Sequence, residues 1–132
     1  MTNLQRLINI IEKAFRTGGA TLQTGQNNFL NEVTYVRGYQ VAGFSKVIKL
    51  KISDFINRTV NHDGGAALYD DIIGLKETNR GYNIELWYDE AASVLEIEAS
   101  KRIISKKEAL KVASELNQKA IYDWANQKSI TL

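Results

Sequence analysis

The chain predicts an α+β fold, with an antiparallel-rich sheet, an N-terminal helix, one or two middle helices, and a C-terminal helix followed by a short strand or hairpin. Three observations carry this prediction. Apolar residues at the start recur at helical spacing, with Leu4, Leu7, Ile8, Ile11, Ala14 and Phe15 on one face. The runs YNIELWYD and SVLEIEAS both alternate and are separated by a short turn, which is a hairpin pattern. Helical and strand patterns are mixed along the chain, and hairpins favour antiparallel pairing, so helices on a sheet are expected.

The N-terminal helix has a start signal in Thr2 and Gln5, spaced as a capping box, and a stop signal in Gly18 and Gly19. Ala20 to Gln23 is a short strand, Thr24 to Asn31 a polar loop, and Thr34 to Ala42 a second strand with Gly38 as a bulge. Ile48, Leu50 and Ile52 alternate with Lys49 and Lys51, the pattern of a half-buried strand. Ser53 is placed to cap a short helix through Val60. The run Asn61 to Gly65 is a turn, and Leu68, Ile72 and Leu75 mark one face of the next helix. In the following hairpin, Ile84 and Leu86 face the core opposite Leu95, Ile97 and Ala99. Glu85 and Trp87 share the other face with Glu96 and Glu98. Ser105 and Glu108 form a second capping box. For residues 118–132, periodicity allows the helix to continue through Trp124, while Asn117 and the Ala-Asn-Gln turn favour a terminal hairpin.

At 132 residues the expectation is one domain over 1–132. The absence of cysteine excludes disulfides, thiolate metal ligands and cysteine nucleophiles, and it fits a reducing cytoplasm. A net charge of +2 lacks the strongly basic signature of a nucleic-acid binder and is far from the acidic surface that DNA mimicry needs. The segment MTNLQRLINII carries no signal-peptide or membrane-span pattern.

Four short pieces in shared order resemble a loose family of small proteins and accessory domains encoded by phages and other mobile elements. They are Gly18-Gly19-Ala20-Thr21-Leu22, Gly38-Tyr39-Gln40-Val41, the hairpin from Trp87-Tyr88-Asp89 through Ile97, and Gln118-Lys119-Ala120-Ile121-Tyr122-Asp123. The resemblance covers about residues 18 to 131 and leaves out the N-terminal helix. It implies that the last segment is a strand following the helix, so a terminal hairpin is expected. It further implies a mobile-element origin and action in the cytoplasm of a bacterial host, where some small phage proteins are counter-defence factors, including anti-CRISPR inhibitors. This chain departs from the family in carrying Ala91-Ala92-Ser93 where a glycine is common in the hairpin turn.

The candidate site residues follow from these patterns. Trp87 projects among charged neighbours, and with Glu85, Glu96 and Glu98 it makes a candidate partner-binding face. The simpler structural reading of these carboxylates is a solvated sheet face with Lys49 and Lys51 across the strands. Lys101, Arg102, Lys106, Lys107 and Lys111 form the densest basic run and the candidate nucleic-acid surface. His62-Asp63 is the one His-Asp pair, with Asp63 better explained as a helix cap. Asp70 and Asp71 are adjacent on a helix and diverge. No Walker or Rossmann phosphate loop, nucleophile triad or metal-ligand motif occurs. The expectation is therefore a protein without catalytic residues, metal or cofactor. The resemblance implies the role such a protein would play: binding and inhibiting a host defence protein, with a type II CRISPR nuclease and its guide RNA as the specific expectation. A nucleic-acid-binding accessory or regulatory protein is the alternative, and a small metal-dependent nuclease is a third reading.

Overall fold

A computed structural model describes residues 1–24, 30–60 and 63–132. In chain order the elements are α1 (Asn3–Thr17), β1 (Gly19–Thr24), β2 (Leu30–Glu32), β3 (Tyr39–Ala42), β4 (Ile48–Lys51), α2 (Ile52–Val60), α3 (Ala66–Thr78), β5 (Asn83–Asp89), β6 (Val94–Ile103), α4 (Lys106–Glu115), β7 (Ala120–Asp123) and β8 (Lys128–Thr131). The α+β class is as expected. Every described strand pairing is antiparallel, and the sheet runs β2-β1-β5-β6-β3-β7-β8, with β4 also paired to β6.

The long strand β6 organises this sheet. On one side it pairs with β5 from Val94 to Ser100, and on the other β4 covers its start and β3 its end. All four helices lie on one face. There Leu22, Ile84, Leu86, Leu95 and Ile97 meet Leu7 and Ile11 of α1, Phe55 of α2, and Leu68 and Ile72 of α3 in one apolar core. A smaller core under α4 joins Ala109 and Ala113 to Val41, Ile103 and Ile121. Helix packing on one face is the burial that an amphipathic stripe needs.

Local chemistry fixes the ends of these elements. Gln5 N donates to Thr2 Oγ1 at 3.1 Å and Thr2 N donates to Gln5 Oε1 at 2.9 Å, a complete capping box. Gly18 closes α1 with a left-handed φ of 107°. At Gly19 the backbones of β1 and β5 come so close that a Cβ would lie 2.6 Å from the Leu86 carbonyl oxygen. Asp63 accepts from Gly65 N at 3.0 Å and Ala67 N at 2.9 Å, capping α3 as its sequence position suggests. His62 lies outside the described residues.

Several boundaries differ from the sequence expectation. Lys51 pairs with Val94, the first residue of β6, so Ile52 has no ladder partner. It starts α2 instead, 45% exposed, and Ser53 lies inside that helix rather than capping it. The strand expected from Thr34 begins only at Tyr39, and Leu30–Glu32, within the expected loop, pairs with β1. The helix alternative for the tail is excluded: α4 stops at Glu115, Asn117 takes a φ of 56°, and β7 and β8 form a hairpin. In the β5–β6 turn Ser93 adopts a φ of 55°, the conformation for which glycine is the usual residue.

Candidate binding cleft on the open sheet face

Strand alternation sends Thr21, Glu85, Trp87, Glu96, Glu98, Ser100 and Gln40 to the face that carries no helix. Their registers put Thr21 beside Glu85, Glu85 beside Glu98, and Trp87 beside Glu96. The sheet curves so that Glu32 and Thr34 on one flank, and Lys119, Tyr122 and Ser129 on the other, line a single cleft of about 700 Å³. That volume lies within the roughly 300–1,000 Å³ range of ligand pockets.

One end of the cleft is closed by a polar network centred on Gln40, which is 3% exposed. Its amide nitrogen donates to Asn83 Oδ1 at 3.0 Å and Ser100 Oγ at 2.9 Å, and its oxygen accepts from Trp124 Nε1 at 3.0 Å. Tyr35 packs edge-on against Trp124 with ring centroids 5.4 Å apart, and its hydroxyl accepts from Asn83 Nδ2 at 3.1 Å. A satisfied amide network of this kind is rigid, since breaking any one bond strands a buried polar group.

The carboxylates on the floor have unequal surroundings. Glu85 accepts a 2.7 Å hydrogen bond from the Thr21 hydroxyl. Glu98 is 7% exposed, and no described residue donates a hydrogen bond to its carboxyl. Burial pushes the Glu85 carboxyl up to about 8; the Thr21 hydrogen bond opposes this, the nearby charge of Glu98 adds to it, and Ser100 opposes it weakly. Burial also pushes Glu98 up to about 7, with the charge of Glu96 contributing. Glu98 has less exposed area than Glu85, yet Glu85 is the more completely ringed by protein atoms. A side chain on a cleft floor shows this pattern when protein surrounds it but its tip meets the opening.

The structure thus gathers Glu85, Trp87, Glu96 and Glu98 on one surface, with Trp87 42% exposed. Glu98 is not the solvated carboxylate of the simpler reading, because sheet curvature encloses it. Lys49 does stand opposite Glu96. The basic run does not form one surface. Alternation puts Lys101 and Arg102 on opposite faces, and the Arg102 guanidinium lies 4.3 Å from the centre of the Tyr35 ring while donating to Arg37 O at 3.1 Å. Lys106, Lys107 and Lys111 are exposed on α4, on the helical side of the sheet. Asp71 is paired with Arg58 at 3.0 Å.

The sequence reading missed Thr21, Gln40, Ser100 and Trp124 as parts of the site. Gln40 had left one signal, as a lone amide in the otherwise apolar run Tyr39-Gln40-Val41-Ala42. Among the described residues no group of three or more histidine or acidic side chains is arranged to hold a metal, and no helix is long and apolar enough to cross a membrane. Comparison of the chain with protein-family models, with curated proteins and with solved structures gives no match.

Proposed function

We propose that this chain is a non-catalytic binding protein that docks a macromolecular partner against its open sheet face, with Trp87 as the anchor. The observation that supports this best is the indole itself: it stays 42% exposed, with Glu96 beside it and Glu85 and Glu98 deeper in the same face. A large aromatic held at a cleft mouth gains much from being covered, and such residues dominate interface energetics. The resemblance to phage and mobile-element proteins supplies the partner class: a host defence protein in a bacterial cytoplasm. A type II CRISPR nuclease with its guide RNA is the specific candidate, inhibited by occlusion. The nucleic-acid alternative gains less support, because Arg102 is engaged within the fold and lies on the opposite sheet face from Lys101 and the α4 lysines.

Capture from a host lysate, followed by a nuclease inhibition assay, tests the proposal. The wild-type chain inhibits, and Trp87→Ala combined with Glu96→Lys lowers affinity by about 100-fold, the scale of a lost anchor. A double variant that retains full binding and inhibition, or a wild-type chain that binds no defence protein, overturns it.

A further inference from the structure

We infer that the cleft beneath Trp87 is a receptor for an organic cation, the guanidinium group of an arginine side chain presented by the partner polypeptide. This inference rests on the docking function proposed above and names the chemistry of what is docked.

The first observation is Glu98. It faces the cleft and is more than nine-tenths buried, and no described residue donates a hydrogen bond to it. Its carboxyl oxygens are not sealed inside the protein but open to the cleft, so a donor from outside can reach them. Its neighbour Glu85 has the Thr21 hydroxyl, whereas no described residue supplies such a donor to Glu98. A donor arriving from outside the chain completes the site.

The second observation is the sign of the cleft. Glu32, Glu85, Asp89, Glu96 and Glu98 line it against two lysines, in a chain whose net charge is +2. One of those lysines, Lys13, is already held 2.7 Å from Glu32. The other, Lys119, stands exposed on the flank formed by residues 117–122. Tyr122, from the same flank, and Tyr88 of β5 also line the cleft. Lys49 of β4 stands across from Glu96 on the same face. With Lys13 tied to Glu32, the cleft is net anionic once Glu85 and Glu98 are ionised, above about pH 8. An anionic, partly dehydrated cavity selects cations and rejects anions.

The third observation is shape. Glu85 and Glu98 stand side by side across the β5–β6 ladder, with the Trp87 ring next along β5. A planar guanidinium suits this arrangement better than an ammonium. It presents donors as a fork to two acceptors, stacks on an indole face, and is more weakly hydrated, so it enters an enclosed site at lower cost.

The test uses the full chain and a small probe, so that no partner protein is needed. Nα-acetyl-argininamide is titrated against the protein while the Trp87 indole is followed by NMR; the lysine and citrulline counterparts serve as comparisons. At about pH 8.5 the arginine probe binds, the lysine probe is several-fold weaker, and the uncharged citrulline probe is weaker by about tenfold or more. Lowering the pH to about 5.5 protonates the floor carboxylates and weakens the arginine probe by about tenfold. Glu98→Gln has a similar effect, Glu85→Gln provides an independent second reduction, and Glu115→Gln on the exposed side of α4 has none. No arginine binding at the higher pH, equal binding of citrulline, or an unchanged affinity in both glutamine variants of the floor overturns the inference. Probe binding without any captured protein contradicts docking alone; partner capture without probe binding contradicts the cation receptor alone.

Discussion

Glu85 and Glu98 occupy a surface that a sequence pattern describes as solvent-facing, yet both hold their protons more tightly than an ordinary carboxyl. The sign of the consequence is fixed by linkage. A group whose folded value is raised binds more protons in the folded state, so its favourable contribution is complete below the unfolded value, near 4.5 for both, and is lost as pH rises through about 7 for Glu98 and about 8 for Glu85. Thermal unfolding followed from about pH 5 to about pH 9 is expected to show a falling Tm, and the double variant Glu85→Gln with Glu98→Gln to flatten that fall. A tenfold change in proton affinity is about 1.4 kcal/mol, so even a partial effect is measurable. A Tm that rises over this range contradicts the assigned burial. Alternation in NIELWYD and VLEIEAS was enough to place Glu85, Trp87, Glu96 and Glu98 on one face. Depth was not legible there, because the cleft around these residues is lined from segments far along the chain, including β1, β3 and 117–122.

At the scale of elements, the chain shows where short-range rules decide and where pairing overrides them. Three caps were readable because each is a local hydrogen bond: Thr2 with Gln5, Asp63 with the start of α3, and Ser105 accepting from Glu108 N at 3.3 Å, which is one half of the expected box; the cap expected at Ser53 was not, because α2 begins before it. The end of β4 was not, since Ile52 continues the alternation in KVIKLKI and only the start of β6 at Val94 removes its partner. The tail was ambiguous to periodicity and is decided by contacts of both kinds. Tyr39 of β3 pairs with Asp123, and the Asp123 carboxylate accepts from Ala125 N at 3.1 Å, Asn126 N at 3.3 Å and Asn126 Nδ2 at 2.8 Å. Those bonds, led by the Asn126 side chain, hold Asp123 below the usual carboxylate range. Asp123→Ala is expected to lower stability, because it removes the three hydrogen bonds that close the turn. Urea unfolding checks this, and an unchanged midpoint contradicts the turn's role. Gly19→Ala forces a methyl onto the Leu86 carbonyl and is expected to cost about 1–3 kcal/mol as overpacking, also read from urea midpoints. A neutral result contradicts the close approach of β1 to β5.

At the scale of the molecule, the described strands form an eight-stranded antiparallel sheet, with one face covered by the four described helices and the other open as a cleft. The committed face buries two apolar cores, and the open face holds polar and charged groups. Native-state hydrogen exchange is expected to be slowest in β5 and β6, at the centre, and fastest in the edge strands β2 and β8, whose pairing is one-sided. Uniform protection across the sheet contradicts that ordering. The central claim, that the open face around Trp87 receives a partner, is tested most directly by oxidative footprinting of the two tryptophans with and without the captured partner. Trp124, 7% exposed and bonded to Gln40, is the internal control. The account predicts that Trp87 is readily oxidised in the free chain and protected in the complex; equal oxidation of Trp87 in both states contradicts it.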